Sequence, residues 1–205
     1  VYLDGSFFYM YGGRITDNSA NNGGGVAGCV KDKVDGRRVI GSLLMLGGTI
    51  ADNKATANGG GVAVIAAYTA QWSGGSVTGN TAQNSGGGVY VDSGAKAMAV
   101  GGDVNITRNI NGNVYLPGGK KITVGGALND SASIGVTSEA VPDDSTPVTI
   151  ATAADNWIND NNFTADNSFY KVTVLDGKTA TLGLHEHQWK VRVKTGSENI
   201  LEEYC

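Results

Sequence analysis

Proline and cysteine are scarce in this sequence, with three of the first and two of the second in 205 residues. Cys29 and Cys205 stand far apart and form no CxxC pair, so they make neither a zinc ligand set nor a disulfide framework. Charge is scarce as well. Only 17% of residues are charged, and 15 basic against 19 acidic side chains leave a formal net charge of -4. Such a balance offers no basic footprint for a phosphate backbone, so no nucleic-acid partner is expected. No apolar run approaches the roughly 20 residues that a spanning helix needs, so no membrane insertion by this segment is expected. The first residues also lack the basic, apolar and small-residue regions of a secretory signal. Apolar residues at three-and-four spacing are missing throughout, which disfavours helix.

Glycine is what the chain has in excess: 32 residues, roughly twice the usual share of about 7%. No Gly-X-Y period accompanies it, which excludes collagen, and an apolar fraction of 40% suffices for a packed core. The glycines mark a repeat. MYGGRITDNSANNGGGV begins at Met10, MLGGTIADNKATANGGGV at Met45, WSGGSVTGNTAQNSGGGV at Trp72, and a degenerate AVGGDVNITRNINGNVYL at Ala99. The first glycines, Gly12, Gly47, Gly74 and Gly101, are spaced by 35, 27 and 27 residues. The long first interval reflects one enlarged loop between Val26 and Gly47. Val1-Tyr2-Leu3 matches Val89-Tyr90-Val91 and Val114-Tyr115-Leu116, so the chain enters its own repeat in mid-phrase and a longer array is expected upstream.

Runs such as GRIT, GGVAV and GVYV alternate over three to six residues between Gly and Asn, which reads as short strands. A 27-residue unit is too short for a propeller blade, which takes about 40 residues and four strands. It suits one coil of a solenoid, in which each strand stacks on its counterpart about 4.8 Å along the axis and like residues form ladders. The expected fold is all-β: a right-handed parallel β-helix of roughly seven coils, with the hand set by the crossover rule. Ile15, Ile50, Val77 and Val104 are expected to stack as one internal column and Val26, Val62 and Val89 as another. Asn18, Asn53 and Asn80 recur six residues after the first glycine, at a corner. There an asparagine tolerates left-handed dihedrals and bonds to its own backbone and to its stacked neighbour.

Gly-Gly-x-Ile/Val at 12–15, 47–50, 74–77 and 101–104, followed by Asn and by Gly-Gly-Gly-Val, resembles a known family. These are bacterial right-handed parallel β-helix surface proteins with GGxI-type repeats, the polymorphic outer-membrane-protein and adhesin-like group. The likeness covers roughly residues 1–116. It implies a secreted or cell-surface location and a role in contact, not chemistry. VYLPGGKKITVGGAL and SASIGVT are similar to phrases near the end of such helices, which implies that residues 117–184 close the solenoid.

The domain plan is therefore a β-helix over 1–184, with regular repeats over 1–116 and irregular coils with a C-terminal cap over 117–184. Residues 185–205 are a boundary segment. In QWKVRVK, Trp189, Val191 and Val193 alternate with Lys190, Arg192 and Lys194, GSEN supplies a turn and ENILEEYC returns, as in the first hairpin of a following domain.

Candidate chemistry is sparse. His185 and His187 are two apart but have no third ligand nearby. Asp155, Asp160 and Asp166 gather among asparagines, without the glycine and terminal glutamate of an EF-hand. DGKT at 176–179 lacks the upstream glycine of a phosphate loop and reads as a hairpin turn. No metal, no cofactor and no catalytic residue is assigned. The enlarged loop VKDKVDGRRVIG carries Lys31, Lys33, Arg37 and Arg38 against Asp32 and Asp35, and insertions in a solenoid project from one face. These four cations are the candidate ligand-binding residues, for an anionic glycan or a host or cell-surface protein. The expected function is that of a non-enzymatic structural and adhesive segment, a monomeric rod. The alternative is a carbohydrate-active β-helix lyase or hydrolase, for which Asp17 and Asp52, at equivalent repeat positions, are the carboxylates to consider.

Overall fold

A computed structural model describes residues 1–29, 33–34, 37–38, 41–66, 68–143, 145–185, 190–195 and 199–204, with 33–34, 37–38 and everything beyond 185 described by backbone alone. Among them there is no helix, and the strands wind as a parallel β-solenoid of about five turns. The number of turns is lower than seven because the C-terminal third adds few coils. Two parallel strands extend the stack, and an antiparallel hairpin then ends it.

Each regular coil contributes one short strand to each of three parallel sheets. The first sheet stacks Tyr2–Asp4, Val26–Cys29, Val62–Val64, Val89–Val91 and Val114–Leu116. The second stacks Phe7–Met10, Ser42–Met45, Thr69–Trp72, Ala97–Gly102, Ile122–Leu128 and Val148–Ala153. The third stacks Arg14–Thr16, Thr49–Ala51, Ser76–Thr78 and Asn105–Thr107. A two-residue strand at Ser19–Ala20, Lys54–Ala55 and Thr81–Ala82 closes each coil.

Like residues lie on like. Val26, Val62, Val89, Val114 and Val136 are in register along the first sheet. All are buried, 1% exposed or less. In the third sheet Ile15, Ile50 and Val77 stack as expected, but the next member is Ile106, followed by Ile134 and Phe163. Val104 is buried yet off the column. Val77 pairs with Ile106, so the fourth coil spends two more residues between its glycine pair and this strand than the third coil does. Aligning on the glycine pair therefore misplaces the strand behind it.

The asparagines form the second element of the core. Asn18 donates its backbone N–H (3.0 Å) and its Nδ2 (2.9 Å) to Asn53 Oδ1. Asn53 repeats this toward Asn80 Oδ1 at 3.0 and 3.0 Å, and Asn80 toward Asn109 Oδ1 at 2.9 and 3.0 Å. Each Nδ2 also reaches carbonyls: Asn53 those of Ala51 and Ile15, Asn80 those of Thr78 and Ile50, Asn109 those of Thr107 and Val77. Asn53 and Asn80 are wholly buried. The left-handed residue of the corner is the one before each asparagine: Asp17, Asp52, Gly79 and Arg108 have φ of 60°, 57°, 67° and 59°. This corrects the expectation that the asparagines themselves take that conformation. An amide that must point inward keeps ordinary dihedrals, and its exposed predecessor makes the turn.

The third glycine of each triplet completes the corner. A Cβ on Gly61 would lie 3.0 Å from Asn80 Nδ2 and 2.7 Å from the carbonyl of Gly88, so only glycine lets successive coils close over the amides.

After Leu116 the corner disappears. Ser133–Ser138 runs straight, pairing with Asn105–Thr107 through Ser133 and Ile134 and with Val114–Leu116 through Val136 to Ser138. It thereby joins the first and third sheets, and Phe163–Ala165 stacks on it. In the second sheet Thr179–Leu184 adds antiparallel to Val148–Ala153, with Tyr170–Leu175 beyond it. The reversal is made by Asp176 and Gly177, both at positive φ, with Lys178 N–H donating to Leu175 O at 2.9 Å. DGKT is thus a hairpin turn. Lys190–Thr195 pairs antiparallel with Asn199–Tyr204, while Trp189, Glu198 and Cys205 lie outside the described residues.

If the amide column holds the coils together, Asn53→Ala strands buried donors and carbonyls on three coils. At about 1–3 kcal/mol for each orphaned group, the variant is expected to lose about 3 kcal/mol or more in urea unfolding. Asn18→Ala, at the exposed end, is expected to lose under about 1 kcal/mol. Equal losses would mean that the column has no special weight.

Candidate functional site, a groove at the foot of a basic hairpin

The outward positions of the first sheet form a row in register: Tyr2, Ala27, Ala63, Tyr90, Tyr115 and Thr137. Tyr90 and Tyr115 stack, with centroids 5.4 Å apart and planes 11° from parallel. Burial raises the pKa of both phenols, and the carboxylate of Glu139, joined at Tyr90 by that of Asp92, raises it further, so both rings stay neutral over the ordinary pH range. At the other end of the row Tyr2 is 55% exposed.

Alanine at 27, in register with Tyr2, leaves space beside it that a tyrosine there would fill. The result is an apolar groove of about 480 Å³, lined by Tyr2, Asn21, Asn22, Ala27, Cys29, Ile65 and Ala66. Its volume falls within the usual range for ligand sites, about 300–1,000 Å³. Asn22 Nδ2 donates to Asn21 Oδ1 at 3.2 Å, and the backbone N–H of Asn58 donates to Asn22 Oδ1 at 3.2 Å, which fixes the two carboxamides at one wall. Tyr2 OH and Cys29 Sγ are hydrogen-bonded at 2.9 Å across the other. Among the described residues, the lining holds no carboxylate, no histidine and no cation.

Cys29 is also the last residue before the enlarged loop. There Lys33–Val34 pairs antiparallel with Arg37–Arg38, and the register sets Lys33 opposite Arg38. Lys31 lies outside the described residues, and Lys33, Arg37 and Arg38 are placed by backbone only. The root of the loop is held from within. Tyr68, 1% exposed, passes its ring beneath Gly28 and Gly41, where any Cβ would collide with it, and donates its hydroxyl to Ser6 O at 2.6 Å. One phenol from the third coil thus ties both ends of the loop and the first coil together. Burial, with a smaller contribution from Cys29, pushes its pKa up to about 12.

Other residues singled out by the sequence part company. Asp17 and Asp52 serve as exposed left-handed corner residues, and Gly79 does the same work in the next coil. Asp155 pairs with Lys178 at 3.8 Å, Asp160 is exposed, and Asp166 Oδ2 accepts from the backbone N–H of Asn113 at 2.7 Å. Among the described residues no three of His, Cys, Asp or Glu are grouped to hold a metal ion. His185 donates its backbone N–H to Phe169 O at 2.8 Å, and His187 lies outside the described residues.

Sequence reasoning finds the hairpin but misses the groove beside it and the tyrosine beneath it. The signal for the groove is Ala27, which stands in register with Tyr2 in the column that later carries Tyr90 and Tyr115. Tyr68 has no counterpart in the other repeats, so periodicity could not single it out. No protein-family description, curated protein or solved structure matches the chain.

Ionising Tyr68 would place a phenolate in the core against the Ser6 carbonyl. Its pKa is raised in the folded state, so its stabilisation is complete below the ordinary value near 10 and is lost as pH rises toward 12. Wild-type stability is therefore expected to fall between about pH 10 and 12, and Tyr68→Phe to flatten that fall at the cost of one hydrogen bond. Denaturation midpoints across this range, read together with phenolate absorbance, check it. Identical profiles would refute the assignment.

Proposed function

We propose that this solenoid is a non-enzymatic structural and adhesive segment of a secreted or cell-surface bacterial protein, contacting a glycan or a surface protein along the flank of a rigid rod. The observation that carries the reading is the lateral groove, a binding-sized concavity with aromatic, carboxamide and apolar walls and, among its described lining residues, no general acid–base pair. The GGxI-type repeats support the surface setting by resemblance. The rod itself follows from stacking: about five turns at ~4.8 Å each extend the solenoid by roughly 24 Å and present rows of side chains in fixed register.

The alternative reading, a carbohydrate-active enzyme, would draw on Asp17 and Asp52. Asp17 and Asp52 stand on exposed corners outside the groove lining, and Gly79 replaces them one coil on. A monomer suffices, since the groove is formed within one chain.

Incubation with pectins, alginates and mucin glycans is expected to give retention of at least one polymer with no new reducing ends and no unsaturated products. Asp17→Asn and Asp52→Asn are expected to leave retention unchanged. Cleavage that either substitution abolishes would replace this reading with that of a carbohydrate-active enzyme.

A further inference from the structure

We infer that Tyr90 and Tyr115 form an oxidative cross-linking site: one-electron oxidation joins the two rings through their ortho carbons into a dityrosine, which staples two successive coils of the solenoid.

The geometry of the pair is the first argument. Tyr90 and Tyr115 are direct partners in a parallel ladder, and their rings stack with centroids 5.4 Å apart and planes 11° from parallel. Two phenoxyl radicals must ordinarily meet by diffusion, whereas here the ladder has already brought the reacting rings together. Both rings are half-buried, which leaves part of each open to solvent and to an oxidant. Their outer neighbours in the row are small, Ala63 beside Tyr90 and Thr137 beside Tyr115. Each ring can therefore tilt within its broad χ2 range to bring one ortho carbon toward the other. Other tyrosines lack such a partner: Tyr2 faces Ala27, Tyr9 faces Leu44 and Tyr170 faces Leu184 across their ladders, and Tyr68 is sealed in the core.

A path for the proton is the second. Burial first, and then the carboxylate of Glu139, holds the Tyr115 phenol in its protonated form, and burial, Asp92 and Glu139 do the same for Tyr90. A neutral phenol gives up its proton as the electron leaves, and a carboxylate beside it is the base that takes it. Glu139 is held in place for this role, its Oε2 accepting from the backbone N–H of Gly118 at 2.6 Å.

The step balances with hydrogen peroxide as the terminal oxidant, acting through a peroxidase that removes one electron from each phenol. One ortho C–H bond breaks on each ring and one C–C bond forms between the rings. The two protons and two electrons released reduce the peroxide to two waters, and both phenols regain their O–H. The new bond closes a loop from residue 90 to residue 115, which restricts the unfolded chain and so stabilises the fold, as a disulfide does. Nothing in this depends on what the rod binds.

The test treats the full chain, in dilute solution, with a peroxidase and hydrogen peroxide. Dityrosine fluorescence is expected in the monomer, together with a linked peptide pair that contains Tyr90 and Tyr115 and is lighter than its two parts by two hydrogen atoms. Tyr90→Phe and Tyr115→Phe keep a ring at each position, and each is expected to lose nearly all of the monomer's dityrosine. Glu139→Gln is expected to slow formation of the same product by about tenfold or more. The linked monomer is expected to unfold at a higher urea concentration than the untreated chain. No dityrosine, dityrosine in covalent dimers alone, or a monomer signal that survives either phenylalanine would overturn the site. A linked monomer that unfolds at no higher urea overturns the staple, and an unchanged rate in Glu139→Gln removes that carboxylate from the step.

Discussion

The buried amide column is the constraint from which most of this structure follows. A primary amide inside a protein must satisfy two N–H groups and a carbonyl, or it costs more than it contributes. In the regular coils that is achieved by asparagines lying one coil apart, each Oδ1 accepting from the coil before it and each Nδ2 also reaching main-chain carbonyls. Two further residues per repeat are dictated by this. The residue before the asparagine must turn left-handed to aim the amide inward, and the residue opposite must lack a side chain so that the coils can close over it. Asp-Asn or Gly-Asn at one end of the unit and the third glycine at the other are thus two parts of one corner.

Much of this is legible because a solenoid converts sequence period into spatial contact. Val26, Val62 and Val89 share a repeat position and share a column, and the asparagines do likewise. Legibility fails where period and geometry diverge. The fourth repeat keeps its glycine pair but delays its strand by two residues, so a register read from the glycines selects Val104 where the fold uses Ile106. The number of turns is overestimated from sequence for a related reason. Strands after Leu116 look like those before it, and alternation alone does not tell parallel stacking from the antiparallel hairpin that ends the second sheet.

The candidate site is half legible, and the division is physical. A run of cations in an enlarged loop stands out in any sequence, whereas a groove is the absence of side chains between two elements that periodicity places on different coils. Ala27 is an ordinary residue until Tyr2 is known to lie in register with it. The loop could grow at this place because its two ends return to neighbouring points of the same corner, Gly28 and Gly41, with the ring of Tyr68 filling the space below. The packed aromatic keeps the core closed at the root of the insertion. Core packing and loop position therefore share one cause.

The column also has a direction. Every amide donates toward the C-terminal side, so its far end must be an acceptor. Where the corner vanishes, the next coil offers Gly135 in place of a turn, and no repeat asparagine is available to receive Asn109. Asn113 stands where earlier coils have the third glycine, and its Oδ1 accepts from Asn109 at 3.0 and 3.0 Å. Asp166 in turn accepts from the backbone and the side-chain amide of Asn113, and from Thr137 Oγ1 at 2.7 Å. A carboxylate is an acceptor only, which suits a position on which three donors converge and from which nothing need be passed on. Aligned hydrogen bonds polarise one another, and a fixed negative charge at the accepting end favours the same alignment. Asp166 belongs to the asparagine-rich loop that lacks the glycine and terminal glutamate of an EF-hand. Its oxygens are instead engaged in ending the chain of hydrogen bonds on which the regular coils depend.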